Sequence, residues 1–498
     1  MVVKRFRFVG NTVFSNAELE QRTARFLNRS VNFTELSEAR NAVSQLYIDK
    51  GYTTSGAYIP MQTSEDGVVE IRILEGRLGE LTVNSKGRLS PDYIKSRLRL
   101  ASRGVLNVPR LLEALRLLQA NPLIETISAN LSASPQAGVS NLQVRVISSQ
   151  SFQLALASDN GRNQQTGSIR RGVDLSQANV LGIGDVLSLT YRNSGGSNDA
   201  LLSYQVPLNA RDLTLTASYR YLPSWIIQPQ EFAKLNINSL YQQAFVGLRM
   251  PLLRTVEREF ALGLSLNRQE NRGLFLEGLP FPSRGSNDKG ETRVTTLSFN
   301  QDWIQRSSKD VLAIRSEVGV GLAGWDTSIP YDYGADPDSP DASFVLWRGD
   351  LQYLRQLGKD VTLIARARAQ VSDGTLPPVE QFGLGGLGSV EGYQTNSLLT
   401  DSGLFGSLEL ALPIWRAPRQ QGLLQLVPFT AIGYGWDRGV SPQPTTNVLA
   451  SVGLGLQLRL GEKFFGRVDY AQRLGQTPYP ISDIWQDQAI LFNVRYTP

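Results

Sequence analysis

Apolar and polar residues alternate along the chain from about residue 150 to the C-terminus. A period of two is the pattern of a β-strand with one apolar and one polar face. Segment 213–220 shows it clearly, because four polar residues separate Leu213, Leu215, Ala217 and Tyr219. Repetition of this pattern predicts about sixteen strands. The longer connections between them are rich in Pro, Gly, Asp and Asn, and they include 222–239, 269–291, 323–342 and 372–402.

The first 150 residues combine the period of strands with the 3.6-residue period of helices, and they do so twice. Each copy has the order strand–helix–helix–strand–strand over about 70 residues, which is enough for a small domain with its own core. The second helix of each copy carries an apolar face, formed by Leu36, Ala39, Val43, Leu46 and Tyr47 in the first and by Leu111, Leu112, Leu115 and Leu118 in the second. We therefore predict small α+β domains over 1–76 and 77–149, followed by a third domain over 150–498.

Composition decides what kind of β-structure the third domain forms. The 498 residues are 41% hydrophobic and 19% charged, and no stretch approaches the roughly 18–20 apolar residues of a membrane-spanning helix. A soluble β-sandwich also alternates, but its domains rarely reach about 350 residues. The pattern therefore predicts a transmembrane antiparallel β-barrel with a wet lumen. Its alternation assigns eight charges to the lumen: Arg315, Glu317, Arg366, Arg368, Glu409, Arg459, Arg467 and Asp469.

The chain contains neither cysteine nor histidine. This excludes thiolate metal sites and removes the commonest general base, so we predict no catalytic, metal or cofactor site and no enzyme activity. The glycine cluster at 383–388 is not followed by Gly-Lys-Ser/Thr, which favours backbone freedom in a loop over a phosphate-binding site. A net charge of +5 is small for this length and argues against a nucleic-acid partner.

Several local patterns carry a resemblance to a known family. The most specific is the segment 380–393, Glu-Gln-Phe-Gly-Leu-Gly-Gly-Leu-Gly-Ser-Val-Glu-Gly-Tyr, and shorter ones occur at 51–60, 73–76 and 121–124. The whole chain resembles the outer-membrane transporters of two-partner secretion, the TpsB family. The resemblance implies two periplasmic POTRA (polypeptide-transport-associated) domains and a monomeric sixteen-stranded barrel in outer-membrane lipid. It also implies that 372–402 folds back into the barrel, and that the partner is an unfolded, TpsA-like exoprotein.

The chain departs from the family at the tip of this loop, which comprises Val390, Glu391, Gly392 and Tyr393. Glu391 stands where the family has Arg. On the wall strand that carries Phe429 and Gly433, Ala431 stands where the family has an inward Asp, so the family's Arg–Asp latch cannot form. Alternation places Arg467 and Asp469 on the lumen face. We predict that Glu391 pairs instead with Arg467; the alternative is that Arg467 and Asp469 pair with strand neighbours while Glu391 is solvated.

The second strand of each POTRA domain, predicted over 57–62 and 127–132, directly follows the helices and is a candidate site for the partner. An extended chain can add to such an edge through main-chain hydrogen bonds, which provide affinity without demanding one sequence. The predicted contact residues are Ala57, Ile59, Met61, Ile127, Ala129 and Leu131. The function expected from the resemblance is secretion of the exoprotein through the barrel. Two alternatives stay open, an insertase for other outer-membrane proteins and a passive pore for small solutes.

Overall fold

The computed structural model describes the chain except for residues 64–65, 277, 282, 284, 326–339, 341, 418–420, 440–445, 478–484 and 487. The chain forms two compact units. One comprises Met1–Ser151 with Leu181–Gly184, and the other comprises Phe152–Val180 with Asp185–Pro498. Among the described residues, no helix is both long and apolar enough to span a bilayer.

The first half of unit 1 has a three-stranded sheet covered by two helices. Its elements are β1 (Val2–Val3), β2 (Arg5–Val9), α1 (Asn16–Thr23), β3 (Arg29–Ser30), α2 (Phe33–Asp49), β4 (Gly56–Tyr58) and β5 (Val68–Leu74). Strand β5 is central, parallel to β2 and antiparallel to β4. A capping box between Asn32 and Glu35 begins α2. The five apolar residues predicted on one face of α2 are the five that it buries, so the helical period was interpreted correctly.

The second half of unit 1 repeats this arrangement with a separate core. Its elements are β6 (Arg77–Lys86), α3 (Pro91–Ala101), α4 (Val108–Gln119), β7 (Ile124–Ala133) and β8 (Val139–Ser148), with β8 at the centre of the sheet. Leu111, Leu115 and Leu118 of α4 contact the core, but Leu112 is 48% exposed. The prediction for Leu112 was wrong because position 112 is about 100° around the helix from 111, outside the buried stripe.

A buried carboxylate connects the elements of the first core. Glu75 accepts hydrogen bonds from the backbone N–H groups of Thr12 at 2.7 Å and Val13 at 2.9 Å, from the Thr12 hydroxyl, and from the Tyr47 hydroxyl at 2.8 Å. Burial opposes charging of Glu75, but these hydrogen bonds outweigh it and hold the pKa of the carboxyl below its ordinary value. The ionised form therefore stabilises this core.

We expect Glu75→Gln to destabilise the first half of unit 1 by about 2–3 kcal/mol, because hydrogen bonds to a charged group are lost. All seven tryptophans lie beyond residue 224, so the measurement is amide hydrogen exchange of peptides from α1 and α2 in the full-length protein. Since the folded pKa is lowered, the stabilisation is present at neutral pH and disappears as pH falls below the ordinary range of glutamate, about 4.3. Equal protection of wild type and variant at pH 7 would contradict this role, and Glu20→Gln on the exposed face of α1 is the control.

Unit 2 is a closed antiparallel barrel of sixteen strands, which confirms the predicted fold. In chain order the strands are β9 (Phe152–Asp159), β10 (Arg170–Ala178), β11 (Val186–Ser194), β12 (Ser197–Pro207), β13 (Thr214–Trp225), β14 (Asn238–Arg254), β15 (Arg258–Phe275), β17 (Glu291–Arg306), β18 (Asp310–Gly321), β19 (Val345–Gly358), β20 (Val361–Ser372), β23 (Ser402–Ala417), β24 (Gly422–Trp436), β25 (Val448–Leu460), β26 (Phe464–Arg473) and β27 (Ile490–Tyr496). Strand β27 closes the barrel against β9. Helix α5 (Gln230–Ala233) and the short strands β16 (Leu279–Pro280), β21 (Phe382–Leu384) and β22 (Leu398–Thr400) lie in the connections.

Alternation separates the two faces of the barrel as predicted. Apolar side chains such as Leu187, Leu189 and Tyr191 are exposed on the outside, where a lipid phase would cover them. The inner face carries ion pairs between strands, including Arg315 with Asp302 and Arg348 with Glu317. Paired charges on one face and bare apolar side chains on the other are the distribution of a barrel with a wet interior.

The connections differ in length between the two ends of the barrel. At the end where β9 begins they span two to seven residues, whereas at the other end most are longer. The predicted connection 269–291 begins too early, because β15 continues to Phe275 and is longer than its apolar pattern. Most of the predicted connection 323–342 lies outside the described residues. The longest described connection is 373–401, between β20 and β23.

Candidate functional site: the in-folded loop and the free sheet edges

The connection 373–401 returns into the barrel and packs against its wall. Strands β21 and β22 pair as a hairpin within it. Five of its residues form an apolar cluster with three residues of β23, β24 and β25: Phe382, Leu384, Val390, Tyr393 and Leu398 with Phe405, Ala431 and Leu449. The loop thus has a core of its own against the inner wall, as a free surface loop would not.

The tip of the loop lies close to three wall strands. Tyr393 is buried, and its hydroxyl donates to the carbonyl of Ala450 at 3.2 Å. Gly392 has φ of +93°, and a Cβ there would lie 2.8 Å from the carbonyl oxygen of Ala471. A Cβ on Gly433 would lie 2.7 Å from Leu384. Glycine at 392 and 433 is therefore required by close approach of loop and wall.

Ala431 replaces a polar latch by an apolar contact. It is buried in the same cluster as Val390 and Leu384. The position where the family resemblance implies an aspartate is thus covered by hydrophobic side chains of the loop. An uncompensated carboxylate at this place would be costly to bury, so alanine suits a tip that presents no arginine.

The predicted pair between Glu391 and Arg467 does not form. Arg467 donates to Glu409 at 2.6 Å and to both oxygens of Asp469 at 2.8 and 2.9 Å, and Glu409 also pairs with Arg366. The alternative was right for Arg467 and Asp469 but wrong for Glu391. Within the described part of the chain, its Oε2 is buried without a hydrogen-bond partner, while its Oε1 accepts only a 3.4 Å contact from the Gly388 N–H.

Strand β25 explains why Arg467 is already occupied. A Cβ on Gly455 would overlap the Asp469 carboxylate, and a Cβ on Gly453 would overlap the ring of Phe429. These glycines leave a bare strip of inner wall, across which Arg467 on β26 reaches Glu409 on β23. The strip makes a pair between distant strands possible and directs the Nε and Nη1 donors of Arg467 to Asp469 and Glu409 on the wall.

The residue that fastens the loop is Glu380, which sequence reasoning missed. It is only 2% exposed. Its carboxylate accepts from Arg348 at 2.6 Å, Gln269 at 2.6 Å and Thr296 at 2.9 Å, and its carbonyl accepts from Gln370 at 2.9 Å. These partners lie on β19, β15, β17 and β20, so one residue connects the loop to four strands.

Asp401 fixes the other end of the loop. Its carboxylate accepts from the N–H groups of Leu376 at 2.9 Å and Arg438 at 3.0 Å, and from the Gln381 side chain at 3.2 Å. The side chain of Gln370 also donates to its carbonyl at 3.0 Å. Glu380 and Asp401 therefore form a polar base for the loop, whereas its tip depends on apolar packing.

The first candidate sheet edge is shorter and better covered than predicted. Strand β4 ends at Tyr58 instead of continuing to 62. The N–H of Ala57 donates to Ser44 at 2.9 Å, and Ile59 packs against the core. Met61 is fully exposed. The side-chain amide of Gln62 exchanges two hydrogen bonds with the backbone of Glu70, at 2.8 and 2.9 Å, and occupies the place of a further strand residue.

The second candidate edge is longer. Strand β7 has ten residues and, among the described strands, pairs only with β8. Its Ile127 and Leu131 pack against the core, while Ala129 is exposed. In the described part of the chain, the backbone of 125–133 makes no hydrogen bond other than those of the β7–β8 pair. Of the two predicted edges, β7 is the one with an unpaired backbone along its length.

The chain is similar to known proteins along most of its length. The sequence profile of the haemolysin secretion/activation proteins ShlB/FhaC/HecB matches residues 138–458, well over half of the chain. The chain belongs to this family. The profile of the ShlB-type POTRA domain matches residues 1–76. The resemblance to the TpsB family is thereby confirmed.

Two bacterial transporters are among the proteins that this chain resembles in sequence. The heme/hemopexin transporter protein HuxB of Haemophilus influenzae is 24% identical over 78% of this chain and 67% of its own length. The outer membrane transporter CdiB of Dickeya dadantii is 23% identical over 84% of this chain and 73% of its own length. The solved structure of CdiB from Escherichia coli matches with a TM-score of 0.75 at 22% identity, covering 100% of this chain and 90% of that one. This last likeness supports the fold.

Proposed function

We propose that this protein is a translocator of the bacterial outer membrane, with POTRA domains over 1–76 and 77–149 in the periplasm and a barrel over 150–498. It takes up an unfolded, TpsA-like exoprotein and passes it outward through the barrel, past the loop 372–402. The protein works as a monomer in outer-membrane lipid, without cofactor and without enzyme activity. Membership of the haemolysin secretion/activation family supports the function.

The observation that carries this proposal is the loop fastened inside the barrel. A passive pore gains nothing from a segment anchored by Glu380 to four strands of its own wall. A conduit for a polypeptide needs such a segment, because a lumen wide enough for an extended chain would otherwise leak small solutes. A protein translocator requires both a lumen that contains an anchored loop and a free sheet edge, such as that of β7, that can bind an extended chain.

Capture of the exoprotein is assigned to the edge of β7. Its unpaired backbone can receive an extended segment by strand addition. Thr126, Ser128 and Asn130 are exposed along this strand, so side chains of many types fit beside them. Folding of the exoprotein outside the cell then drives export, since no nucleotide-binding motif occurs in the sequence.

The function is tested with purified protein in liposomes and an unfolded cognate exoprotein. We expect protease-protected transfer of the exoprotein across the bilayer. Absence of transfer would contradict the proposed function. Depletion in cells distinguishes the insertase alternative, because a translocator loses one secreted protein whereas an insertase loses many barrels.

The capture site has its own test. Because the chain contains no cysteine, each introduced cysteine is its sole thiol. We expect an exoprotein with one cysteine to form a disulfide with Ser128→Cys or Asn130→Cys on β7, at least tenfold faster than with Ser96→Cys. Ser96 is exposed on α3 of the same domain and is the matched control. Equal rates at 96, 128 and 130 would show that β7 is not the docking edge, even if transport occurs.

A further inference from the structure

Docking of the tip of the in-folded loop leaves buried polar atoms without hydrogen bonds, whereas docking of the base does not. Among the described residues, buried side-chain atoms without hydrogen-bond partners include Glu391 Oε2, Arg368 Nε and Nη2, and Ser451 Oγ. Arg368 lies 5.8 Å from the ring of Phe382, a loop residue. Ser451 is the register partner of Ala431, which the loop covers. These groups belong to the tip or to the wall around it.

The base of the loop is fully satisfied by contrast. Both carboxylate oxygens of Glu380 have donors, and so do both oxygens of Asp401. The same loop therefore has one end that is stabilised by charge-assisted hydrogen bonds and a tip whose docking leaves polar atoms unsatisfied.

Neighbouring charges also act on the buried carboxylate of Glu391. The charged groups that act on it are Asp469 and Arg467 of β26 and Glu409 of β23. Arg467 is shared between Asp469 and Glu409, and Arg366 pairs with Glu409. Among these described groups, three carboxylates thus share two arginines, and Glu391 is the one that forms no ion pair.

We propose that Glu391 is a release element, whose buried carboxylate lowers the stability of the docked tip, 390–393, while Glu380 and Asp401 hold the base. Undocking lets water solvate Glu391, Arg368 and Ser451, so the energetic cost of exposing the apolar cluster is partly recovered. The lumen then opens by movement of a short segment on a fixed base. The inference rests on the proposed function for its purpose, but its test needs no exoprotein.

Docking of the tip is measured by the reactivity of a thiol that the tip covers. Ser451→Cys is close to isosteric, and it provides the sole thiol of the chain; this substitution is called the reporter thiol below. The reagent is a water-soluble maleimide, added to the full-length protein in detergent micelles and in liposomes. Lys309→Cys, in an exposed turn, is labelled regardless of the loop and calibrates reagent access.

Two identical substitutions in the loop are expected to act in opposite directions. Glu391→Gln removes the uncompensated charge and should slow labelling of the reporter thiol about tenfold, whereas Glu380→Gln weakens the base and should accelerate it. Glu391→Gln should also lower single-channel conductance in planar bilayers. Unchanged or faster labelling with Glu391→Gln would overturn the proposal, as would slower labelling with both variants. Loss of polypeptide transport with the predicted labelling rates would refute the proposed function and leave the release element intact.

Discussion

Replacing Glu380 by alanine is expected to unfasten the in-folded loop and open the barrel. The carboxylate is buried and bonded to Arg348, Gln269 and Thr296. Removing one partner of a buried ion pair costs about 3–5 kcal/mol, mainly because the other charge is left uncompensated. We therefore expect labelling of the reporter thiol at position 451 to rise more than tenfold and single-channel conductance to rise severalfold.

The control for this prediction uses the same arginine. Glu317 lies 3.7 Å from Arg348 and bonds Ser298 at 3.0 Å, both of them on the wall. Glu317→Ala removes a carboxylate from the same cluster without removing a bond to the loop, so it should leave conductance near that of the wild type. If Glu317→Ala opens the barrel as much as Glu380→Ala does, general loss of lumen charge and not the loop contact is responsible.

The second large effect is expected at the tip, from Gly392→Ala. A Cβ at this position would lie 2.8 Å from the carbonyl oxygen of Ala471 in β26, and the backbone has φ of +93°. Overpacking against a wall that cannot move costs about 1–3 kcal/mol, and an L residue with this φ adds about 1–2 kcal/mol. The tip should therefore undock, with labelling of the reporter thiol faster by more than tenfold.

Gly388→Ala separates the two causes. Gly388 also has a positive φ, of +77°, but a Cβ there would meet nothing within 4 Å. This variant has the backbone strain without the contact, so it should accelerate labelling far less than Gly392→Ala. Equal acceleration by both variants would mean that strain in the loop, and not approach to β26, sets the docking of the tip.

The sequence alone determined the architecture. Alternation in segments such as 213–220 predicts which face of each strand contacts lipid and which contacts water. It does so because the polarity of each side chain can be read directly from the sequence. The buried face of α2 follows from the helical period in the same way. The resemblance of segment 380–393 to the family's loop also identified the in-folded loop, because the residues that carry this resemblance are contiguous in sequence.

Only the tertiary structure decided which residues hold that loop. Glu380 bonds to residues 10 to 111 positions away in sequence, and closure of the barrel brings their strands together. Arg467 was assigned to Glu391 because both were expected near the same wall, but Gly453 and Gly455 let it reach Glu409 across two strands. Ion pairs between distant strands depend on strand register and on the space left by glycine. Neither can be predicted from the periodicity of the sequence. The faces of the strands are therefore encoded locally, whereas the partners within the lumen depend on the closed fold.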